Sequence, residues 1–553
     1  MISQSRVLLA LDLGSATTSG AVLGHVGGRW RLIAHVAAPC HVDVDATLFR
    51  LLTRVKLTDP KMLAELGAGE AADIRALVAT WPRLVARTSP RRLVAVLAGS
   101  RRQRRRLETS ALRAGWLVVG GSAEEDDHLA LSRLALTSEV GVVLLGADRD
   151  PGGDERRQLP DLAALVAAVT RSRPELSVVL AGGAAVYEPA LAAFGESIPA
   201  SVRAVGQPVC GQVLLAPDAE AGNPPGASLQ EILEGLRTLP NDSRLGVARS
   251  IASLAQILDR PIEVLEIGLQ GGLWSRSEPV GLGHPAVVSS HACPADASFA
   301  PDNPSEEVID GVLAWSTTAQ DRHRVMDRLN DLRRLPWGEA DGDGAVFRLA
   351  AAKAAIGRLV ESSPAMLASS VPECLIAAGG IFAALPPSIV ALAMADLLRR
   401  PGVCHLAIDH ARLLGPIGAV EEEQERRRLL ADLAEDILLP LGGLILPAGI
   451  KVGRSAGRLR LKGATAASEI ELHPGTIEVV DLPPGRAARA DLDFRDAVKL
   501  AGRGRHFSVD VRGGLCGLLV DLRDIPMRIS DRPESRRLAL EAWQRGMWPE
   551  VDE

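Results

Sequence analysis

Aromatic residues are scarce in this sequence: its 553 residues include one Tyr, seven Phe and eight Trp. Because 47% of the residues are nevertheless hydrophobic, a sizeable core can form, and it must be built mainly from Ala, Leu and Val. A chain of this length exceeds what one hydrophobic core supports, which predicts about three or four domains. The composition suits a large α/β protein.

The short motifs that hold zinc or disulfides are also missing. The six cysteines are scattered and contain no C-x-x-C pair, so neither a zinc site nor a disulfide framework is indicated. We expect them to be buried, reduced thiols of a cytosolic protein. The eleven histidines include no H-E-x-x-H or H-x-x-x-H pair, and no G-x-x-x-x-G-K-[ST] loop occurs, which sets P-loop ATPases aside.

Long apolar runs and a strong excess of one charge are absent too. No segment reaches the roughly 18 apolar residues that a spanning helix needs, and the short polar start, residues 1–6, does not have the pattern of a signal peptide. The formal net charge of −6 gives no reason to expect nucleic acid or an anionic membrane as a partner. We expect a cytoplasmic protein.

The order of the elements predicts the organisation of the chain. From about Arg91, short β-like runs alternate with stretches of helical apolar spacing, which predicts parallel sheets with crossover helices. After Leu438, short runs separated by Pro-Gly and Gly-Gly turns predict a small all-β domain. It ends in a helix, residues 534–547, made amphipathic by Leu538, Leu540, Trp543 and Met547. We place three domains at 1–257, 258–436 and 437–553.

The sharpest motif follows the first apolar run, in Asp12-Leu-Gly14-Ser15-Ala-Thr17-Thr18. Gly14 lets a phosphate approach the backbone, while Ser15, Thr17 and Thr18 offer hydroxyl and N–H donors. The carboxylate of Asp12 can hold a water of a magnesium ion. An ordinary polar hairpin uses the same residue types, and that alternative stays open.

A second motif, Gly379-Gly380, directly follows the strand-like run that begins at Cys374. Two glycines at the end of a strand permit a base and ribose to lie flat against the backbone. We predict that this turn holds adenosine.

The order and spacing of these motifs resemble the actin-like ATPase superfamily. There, a D-x-G-[ST] hairpin opens each half, and a G-G adenosine motif follows about a hundred residues after the second one. The second turn would be Glu266-Ile-Gly268, with Gly271 and Gly272 beyond it. Glu266 replaces the expected Asp, no Ser or Thr follows Gly268 at the expected positions, and Ser19 stands where the superfamily carries a Lys.

The chain also resembles one family within that superfamily, the MutL-type proteins associated with glutamate mutase (not the mismatch-repair protein of the same name). The similarity covers the opening motif and residues 377–387 and 405–418. It continues in the C-terminal region through Pro474-Gly475, Leu482-Pro-Pro-Gly485 and 513–523.

This resemblance implies an α/β, actin-like (ribonuclease H-like) core of two halves, an all-β C-terminal domain, and ATP with Mg²⁺ bound between the halves. It also implies a partner, the subunits of a cobalamin-dependent carbon-skeleton mutase, which the protein would reactivate or help to assemble. Homo-oligomerisation stays open, and no catalytic residue is identified.

Two other functions remain open at this stage. The degenerate second turn favours a pseudo-ATPase, in which the same fold serves as a scaffold with weak or no hydrolysis. A small-molecule kinase shares the phosphate motif, but it needs an acidic base in a substrate cleft, and the sequence identifies none.

Overall fold

The computed structural model describes residues 5–40, 43–58, 78, 80–88, 93–114, 116–137, 140–146, 152–173, 176–181, 188–189, 192–194, 213–216, 229, 232–233, 236, 242–279, 287–292, 297–301, 304–336, 342–361, 364–397, 400–451, 453, 455–463, 469–525, 527 and 529–547. The chain divides into two compact units: Met1–Thr88 with Pro240–Ala292 and Asp296–Glu553, and Ser89–Leu239 with Cys293–Ala295. The domain boundaries predicted from the sequence stay predictions. Segments of all three predicted domains share the first unit.

The first unit begins with a four-stranded sheet in the order β3-β2-β1-β4, and the helix that follows β3 packs against β2 and β3. Strand β1 is apolar and almost fully buried, and it pairs antiparallel with β2 and parallel with β4. The β2–β3 turn is Gly27-Gly28, both at positive φ, as a tight hairpin turn requires. The elements are β1 (Val7–Leu13), β2 (Thr17–Val26), β3 (Arg29–Pro39), α1 (Val44–Thr58) and β4 (Arg83–Arg87).

The second unit contains a parallel five-stranded sheet in the order β6-β5-β7-β8-β9. This confirms the alternation of strands and helices predicted from about Arg91, and the order is that of a doubly wound α/β sheet. The described elements are β5 (Leu93–Ala98), α2 (Arg101–Arg113), β6 (Leu117–Ser122), α3 (His128–Leu136), β7 (Val140–Gly146), α4 (Gly153–Ser172), β8 (Ser177–Ala181) and β9 (Val213–Ala216).

A long helix, α5 (Ser243–Leu258), leads to the second sheet of the first unit. It begins at Asp242, whose Oδ1 accepts hydrogen bonds from the main-chain N–H groups of Arg244 and Leu245 at 3.0 and 3.1 Å. The sheet has eight strands in the order β12-β11-β10-β13-β14-β15-β21-β18. Its first five strands are β10 (Ile262–Gly268), β11 (Gly271–Pro279), β12 (Val287–Ala292), β13 (Cys374–Ala378) and β14 (Gly402–Asp409).

The two sheets of the first unit share a strand order. In each, an antiparallel meander of three strands is followed by a strand parallel to the first one, and in the second sheet β14 adds a further parallel strand. The mixed α/β architecture with several sheets therefore agrees with the prediction, and the ribonuclease H-like assignment stays a prediction. Because β10, β13 and β14 run parallel, their carboxyl ends and the turns that follow them lie at one edge of the sheet.

Helices cover the apolar core of the second sheet. They include α6 (Glu306–Trp315), α7 (Arg322–Arg334), α8 (Gly342–Glu361), α9 (Pro364–Leu367), α10 (Gly380–Ala383) and α11 (Pro387–Leu397). Two further helices, α12 (Leu414–Gly418) and α13 (Glu423–Ile437), pack against α5; α12 also contacts β1 and β4, and α13 also contacts β3. The core of this region is rich in Ala, Leu, Ile and Val and contains few aromatic side chains, as the composition predicts. No helix among the described residues is both long and apolar enough to cross a membrane.

The β-rich C-terminal region is divided between two sheets. Strands β15 (Leu438–Leu446), β18 (Ile477–Val480) and β21 (Leu518–Asp521) extend the eight-stranded sheet beyond β14. A separate four-stranded antiparallel sheet is formed by β17 (Glu469–Leu472), β16 (Gly457–Lys462), β19 (Ala487–Lys499) and β20 (Arg503–Arg512), in that order. Main-chain hydrogen bonds therefore join the predicted all-β region to the second half of the core.

The last helix, α14 (Pro533–Met547), confirms the predicted C-terminal helix but not all of its apolar face. Leu540 and Met547 are buried, whereas Leu538 is 61% exposed. The indole Nε1 of Trp543 donates a hydrogen bond to the carbonyl of Gly475 at 2.9 Å. The side chain of Leu538 therefore does not belong to the packed face.

A buried cluster of charges ties the C-terminal strands to the helices of the second half. Asp396 of α11 pairs with Lys353 of α8 and accepts a hydrogen bond from Arg523 Nη1 at 2.5 Å. Arg523 also donates from Nη2 to Asp521 Oδ2 at 2.7 Å. All four side chains are buried, so each charge depends on its partners for stabilisation.

The four described cysteines are free: Cys404 is buried as predicted, whereas Cys374 and Cys516 are partly buried and Cys40 is exposed. Cys210 and Cys293 lie outside the described residues.

Candidate functional site

The predicted motifs line one narrow cleft of about 30 Å³ in the first unit. The turn after β1, the β10–β11 turn and the turn after β13 all face it, and so do Arg244, Arg348 and Arg412. The predicted residues that line it are Gly14, Ser15, Thr17, Glu266, Gly268, Gly271, Gly379 and Gly380. Asp12, Thr18 and Gly272 lie in the adjoining strands β1, β2 and β11 and do not line the cleft.

Gly14 closes the first turn. Its N–H donates to the carbonyl of Thr17 at 3.1 Å. A methyl group at Gly14 would lie 2.5 Å from that carbonyl oxygen and 2.9 Å from Nη2 of Arg412, which is too close in both cases. Glycine is therefore required here, both for the turn and for the approach of a guanidinium group.

The carboxylate of Asp12 is buried and engaged at both oxygens. Oδ1 accepts a hydrogen bond from Ser243 Oγ at 3.1 Å, and Oδ2 accepts one from Arg412 Nη2 in an ion pair. These contacts join β1 to the start of α5 and to the segment after β14. Asp12 therefore serves as the anion of a buried ion pair.

The guanidinium of Arg412 bridges the two sheets of the first unit. Its main chain follows β14, whereas Nη1 donates to Thr17 Oγ1 at 2.6 Å and to the carbonyl of Thr17 at 3.1 Å. The backbone of Arg412 has φ +56°, a left-handed conformation that is uncommon for residues other than glycine. Such a conformation persists only where the surrounding contacts impose it.

Asp409 supplies those contacts at the end of β14. Its buried carboxylate accepts hydrogen bonds from the main-chain N–H groups of Leu413 and Leu414 at 2.9 and 3.0 Å. The N–H of Arg412 donates to the carbonyl of Asp409 at 3.3 Å. Burial raises the pKa of Asp409 to about 6, although the two main-chain donors act to lower it.

Glu266 is the carboxyl group at the end of β10. Burial raises its pKa to about 7, Arg244 acts to lower it and Asp12 acts to raise it. Its Oε2 is shielded from solvent and has no hydrogen-bond partner among the described residues. Glu266 is therefore a group in this cleft that can exchange a proton near neutral pH.

Two further buried arginines face the cleft. Arg244 Nη2 donates to the carbonyl of Gln270 at 2.7 Å and so ties α5 to the β10–β11 turn. The Arg348 side chain donates to the carbonyl of Pro336, and its guanidinium lies 5.7 Å from the ring centroid of Phe299. With Arg412, three cations line the cleft against the carboxyl group of Glu266. Such a cleft favours an anionic ligand.

The two glycines after β13 allow close packing between main-chain segments. Gly379 has φ +95°, and a methyl group there would lie 2.6 Å from the carbonyl oxygen of Ile267. A methyl group at Gly380 would lie 2.6 Å from Thr17 Oγ1. This packing accounts for both glycines, and their role in holding adenosine stays a prediction.

The cleft as it stands accommodates neither of the predicted ligands directly. A volume of about 30 Å³ is about that of one water molecule, whereas small-molecule pockets usually measure about 300 Å³ or more. A magnesium ion held through water at Asp12 would lie beside the guanidinium of Arg412, which already forms an ion pair with that carboxylate. Within the described part of the chain, no three His, Cys, Asp or Glu side chains form a metal site.

Sequence reasoning missed Arg412, Arg244 and Arg348. Lys and Arg together number 62, and arginine has no motif of its own here that would single out three of them. The signal that could have identified Arg412 is its position in the sequence, because it lies three residues after the end of β14, a strand that is parallel to β13. The carboxyl ends of parallel strands are where such sites form.

Comparisons with known proteins identify no family. No protein-family model matches the chain, and no curated protein matches it. A structural study of the Aquifex aeolicus PPX-GPPA enzyme gives a match with 9% identity and a TM-score of 0.18, covering 77% of this chain and 89% of that one. The crystal structure of the type II variant of the Aquifex aeolicus Ppx/GppA phosphatase gives a match with 8% identity and a TM-score of 0.18, covering 77% of this chain and 88% of that one. Similarities this low carry no argument about this chain.

Proposed function

We propose that this chain binds a nucleoside triphosphate in the cleft between its two related sheets and acts as a nucleotide-responsive binding protein with little or no hydrolysis. The observation that carries the proposal is the convergence of the turns after β1, β10 and β13 on one cleft lined by Arg244, Arg348 and Arg412. Glycines in these turns let phosphate oxygens approach main-chain N–H groups, and the arginines supply the balancing charge.

The small volume of the cleft supports a mechanism based on opening and closing. A nucleotide can enter only if the two sheets separate, so binding would favour an open arrangement over the one described here. A ligand shifts such an equilibrium by its difference in affinity for the two arrangements. The surface that the protein presents to a partner would change with it.

Slow or absent hydrolysis is supported by the state of the two carboxyl groups. Asp12 is held in its ion pair with Arg412, which leaves Glu266 as the carboxyl group that lines the cleft. A pKa of about 7 would suit a general base, yet the β10–β11 turn carries none of the hydroxyl side chains predicted for an active second motif. We therefore favour the pseudo-ATPase over the ATPase.

The proposed partner is a cobalamin-dependent carbon-skeleton mutase, and the sequence motifs alone support it. In this role, nucleotide-dependent opening would control binding to the mutase and so permit exchange of a damaged cofactor. The small-molecule kinase is the weaker alternative, because its substrate would need further space beside the nucleotide.

Calorimetric titration with ATP, with and without Mg²⁺, tests nucleotide binding. We expect binding to the wild type, loss of binding in Ser15→Trp, whose indole would fill the cleft, and normal binding in Ser172→Trp, whose change lies on the exposed end of α4. Absence of binding to the wild type at millimolar ATP would refute the proposed function. Rapid ATP turnover that disappears in Asp12→Ala would instead restore the ATPase.

A reconstitution experiment tests the partner. Glutamate mutase inactivated by turnover would be incubated with this chain and ATP, and its activity and its complex with the chain would be measured. Recovery of activity that Ser15→Trp abolishes would support the mutase as partner. Failure to form a complex under any nucleotide condition would remove it.

A further inference from the structure

We infer that Arg412 takes the place of a metal ion beside Asp12, so that the cleft binds the phosphate groups of its ligand through a guanidinium and needs no divalent cation. This inference rests on the proposed function in that it concerns the same cleft. It differs from the expectation drawn from the sequence, in which Asp12 holds Mg²⁺ through water.

The contacts of Asp12 provide the first argument. Arg412 Nη2 and Ser243 Oγ donate to the two oxygens of its carboxylate, and the site lies away from solvent. A divalent cation placed here would lie beside a fixed positive charge in a medium of low dielectric, where repulsion is strong. Arg412 already neutralises the carboxylate that would have attracted the metal.

The main chain of Arg412 provides the second argument. Its left-handed conformation is held by Asp409, which accepts hydrogen bonds from the N–H groups of Leu413 and Leu414. The next helix is anchored as well, because Ser250 Oγ donates to the carbonyl of Leu414 at 2.6 Å. The base of the side chain is therefore fixed on the cleft side, as expected for a built-in ligand-binding group.

The unused hydrogen-bonding capacity of Arg412 provides the third argument. A guanidinium has five N–H donors, and the contacts to Asp12 and Thr17 use both donors on Nη1 and one of the two on Nη2. Nε is buried and has no hydrogen-bond partner among the described residues, although the side chain is only 7% exposed. Arg412 also lines the cleft, so an oxyanion entering it would meet a charged group with a donor to spare.

The chemistry of the ligand follows from these contacts. Guanidinium groups bind phosphate oxygens through paired, charge-assisted hydrogen bonds, and they remain protonated at any physiological pH. The cleft therefore suits a di- or triphosphate group that arrives without its metal. The adenosine part of the ligand is a separate matter, decided by the turn at Gly379 and Gly380.

Titrations with ATP and with inorganic tripolyphosphate, each in EDTA and in excess Mg²⁺, test the inference. We expect the wild type to bind tripolyphosphate in EDTA and to bind it no more tightly in excess Mg²⁺, which itself complexes the anion. Arg412→Gln should lower the affinity in EDTA by about tenfold or more, because a charge-assisted contact is lost. The affinity of Arg412→Lys should lie between those of Arg412→Gln and the wild type. Arg322 is an exposed arginine outside the cleft, so Arg322→Gln should bind with the wild-type affinity.

Asp12→Asn gives an independent readout. If Arg412 is the phosphate ligand, removal of the competing carboxylate leaves the affinity in EDTA unchanged or raises it. If Asp12 holds a metal, the affinity in Mg²⁺ falls instead. Thermal unfolding of each variant shows whether it folds, and Arg412→Lys replaces Arg412→Gln if the latter does not.

Two results would overturn the inference. One is wild-type binding at least about tenfold tighter in Mg²⁺ than in EDTA. The other is tighter binding of tripolyphosphate by Arg412→Gln than by the wild type, which would show that Arg412 blocks the site. Metal-independent binding of tripolyphosphate without binding of ATP would support the inference and refute the proposed nucleotide. Absence of binding by both anions would refute both.

Discussion

Gly246 of α5 and Gly418 of α12 lie with their main chains in direct contact. A methyl group at Gly418 would overlap the carbonyl oxygen of Gly246, and one at Gly246 would overlap the carbonyl oxygen of Gly415. Because α12 begins two residues after Arg412 and α5 begins at Ser243, this contact sets the positions of two donors to Asp12. The ion pair beside the cleft therefore depends on close main-chain packing at two glycines, Gly246 three residues after Ser243 and Gly418 six residues after Arg412.

Gly418→Ala should destabilise the protein by about 2–4 kcal/mol, because backbone atoms cannot move aside as side chains do. The free energy of unfolding by urea, measured at 25 °C, tests this. Gly546→Ala is the matched control, since no atom lies within 4 Å of a methyl group at that position of α14, and it should be neutral or slightly stabilising. Equal stabilities of the two variants would show that the α5–α12 contact is looser than described.

Removal of either partner of the Asp12–Arg412 pair should cost about 3–5 kcal/mol, because the remaining charge is left buried without its counterion. The double variant Asp12→Ala/Arg412→Ala should cost clearly less than the sum of the two single changes. A double-mutant cycle in urea measures the difference, for which we expect about 2 kcal/mol or more. Additive effects would mean that the two charges do not interact in solution.

Glu266 should make stability depend on pH in the direction opposite to an ordinary carboxylate. Its pKa in the folded protein, about 7, lies above the ordinary value of 4.5, so the native state keeps a proton that the unfolded chain has lost. The free energy of unfolding should therefore fall by up to about 3 kcal/mol as pH rises from 4.5 through 7.

Glu266→Gln should remove the part of this fall that Glu266 contributes, most clearly between pH 6 and pH 7, because Asp409, with a pKa of about 6, contributes its own fall at lower pH. The exposed Glu307→Gln should keep the whole profile. Anion binding should weaken over the same pH range in the wild type, because ionised Glu266 adds a negative charge to the cleft. Unfolding curves and tripolyphosphate titrations at pH 5 and pH 8 provide both measurements. Identical pH profiles for the wild type and Glu266→Gln would contradict the assignment.

Asp396→Asn should destabilise the C-terminal strands by about 3–5 kcal/mol, because Lys353 and Arg523 lose their shared counterion. Burial alone would raise the pKa of Asp396, but Lys353 and Arg523 hold it below its ordinary value. Its contribution is therefore present above about pH 4 and lost as pH falls below that. Hydrogen exchange of β21 reports the effect, and the exposed Asp496→Asn is the control; unchanged exchange would argue against this anchoring.

Local signals were sufficient for much of the fold. Apolar runs followed by glycine turns located β1 and β13, and regular alternation predicted the parallel sheet of the second unit. These features depend on neighbours within a few residues, so the residues that specify them stand next to each other in the chain. The exposed Leu538 shows the limit, because helical spacing predicts a stripe of apolar residues but not the width of the surface that covers it.

The pairing at the centre of the cleft could not be obtained in this way. Asp12 and Arg412 are 400 positions apart, and nothing in the neighbourhood of either predicts the other. The packing of α12 against both β1 and α5 brings them together, and burial then gives the pair its strength.

The sequence by itself determined which turns face the cleft, because a turn is specified by the few residues that form it. Only the tertiary structure decided what those turns enclose. The volume, the charge balance and the cation beside Asp12 arise from side chains of distant segments, and these properties exist only once the segments have packed.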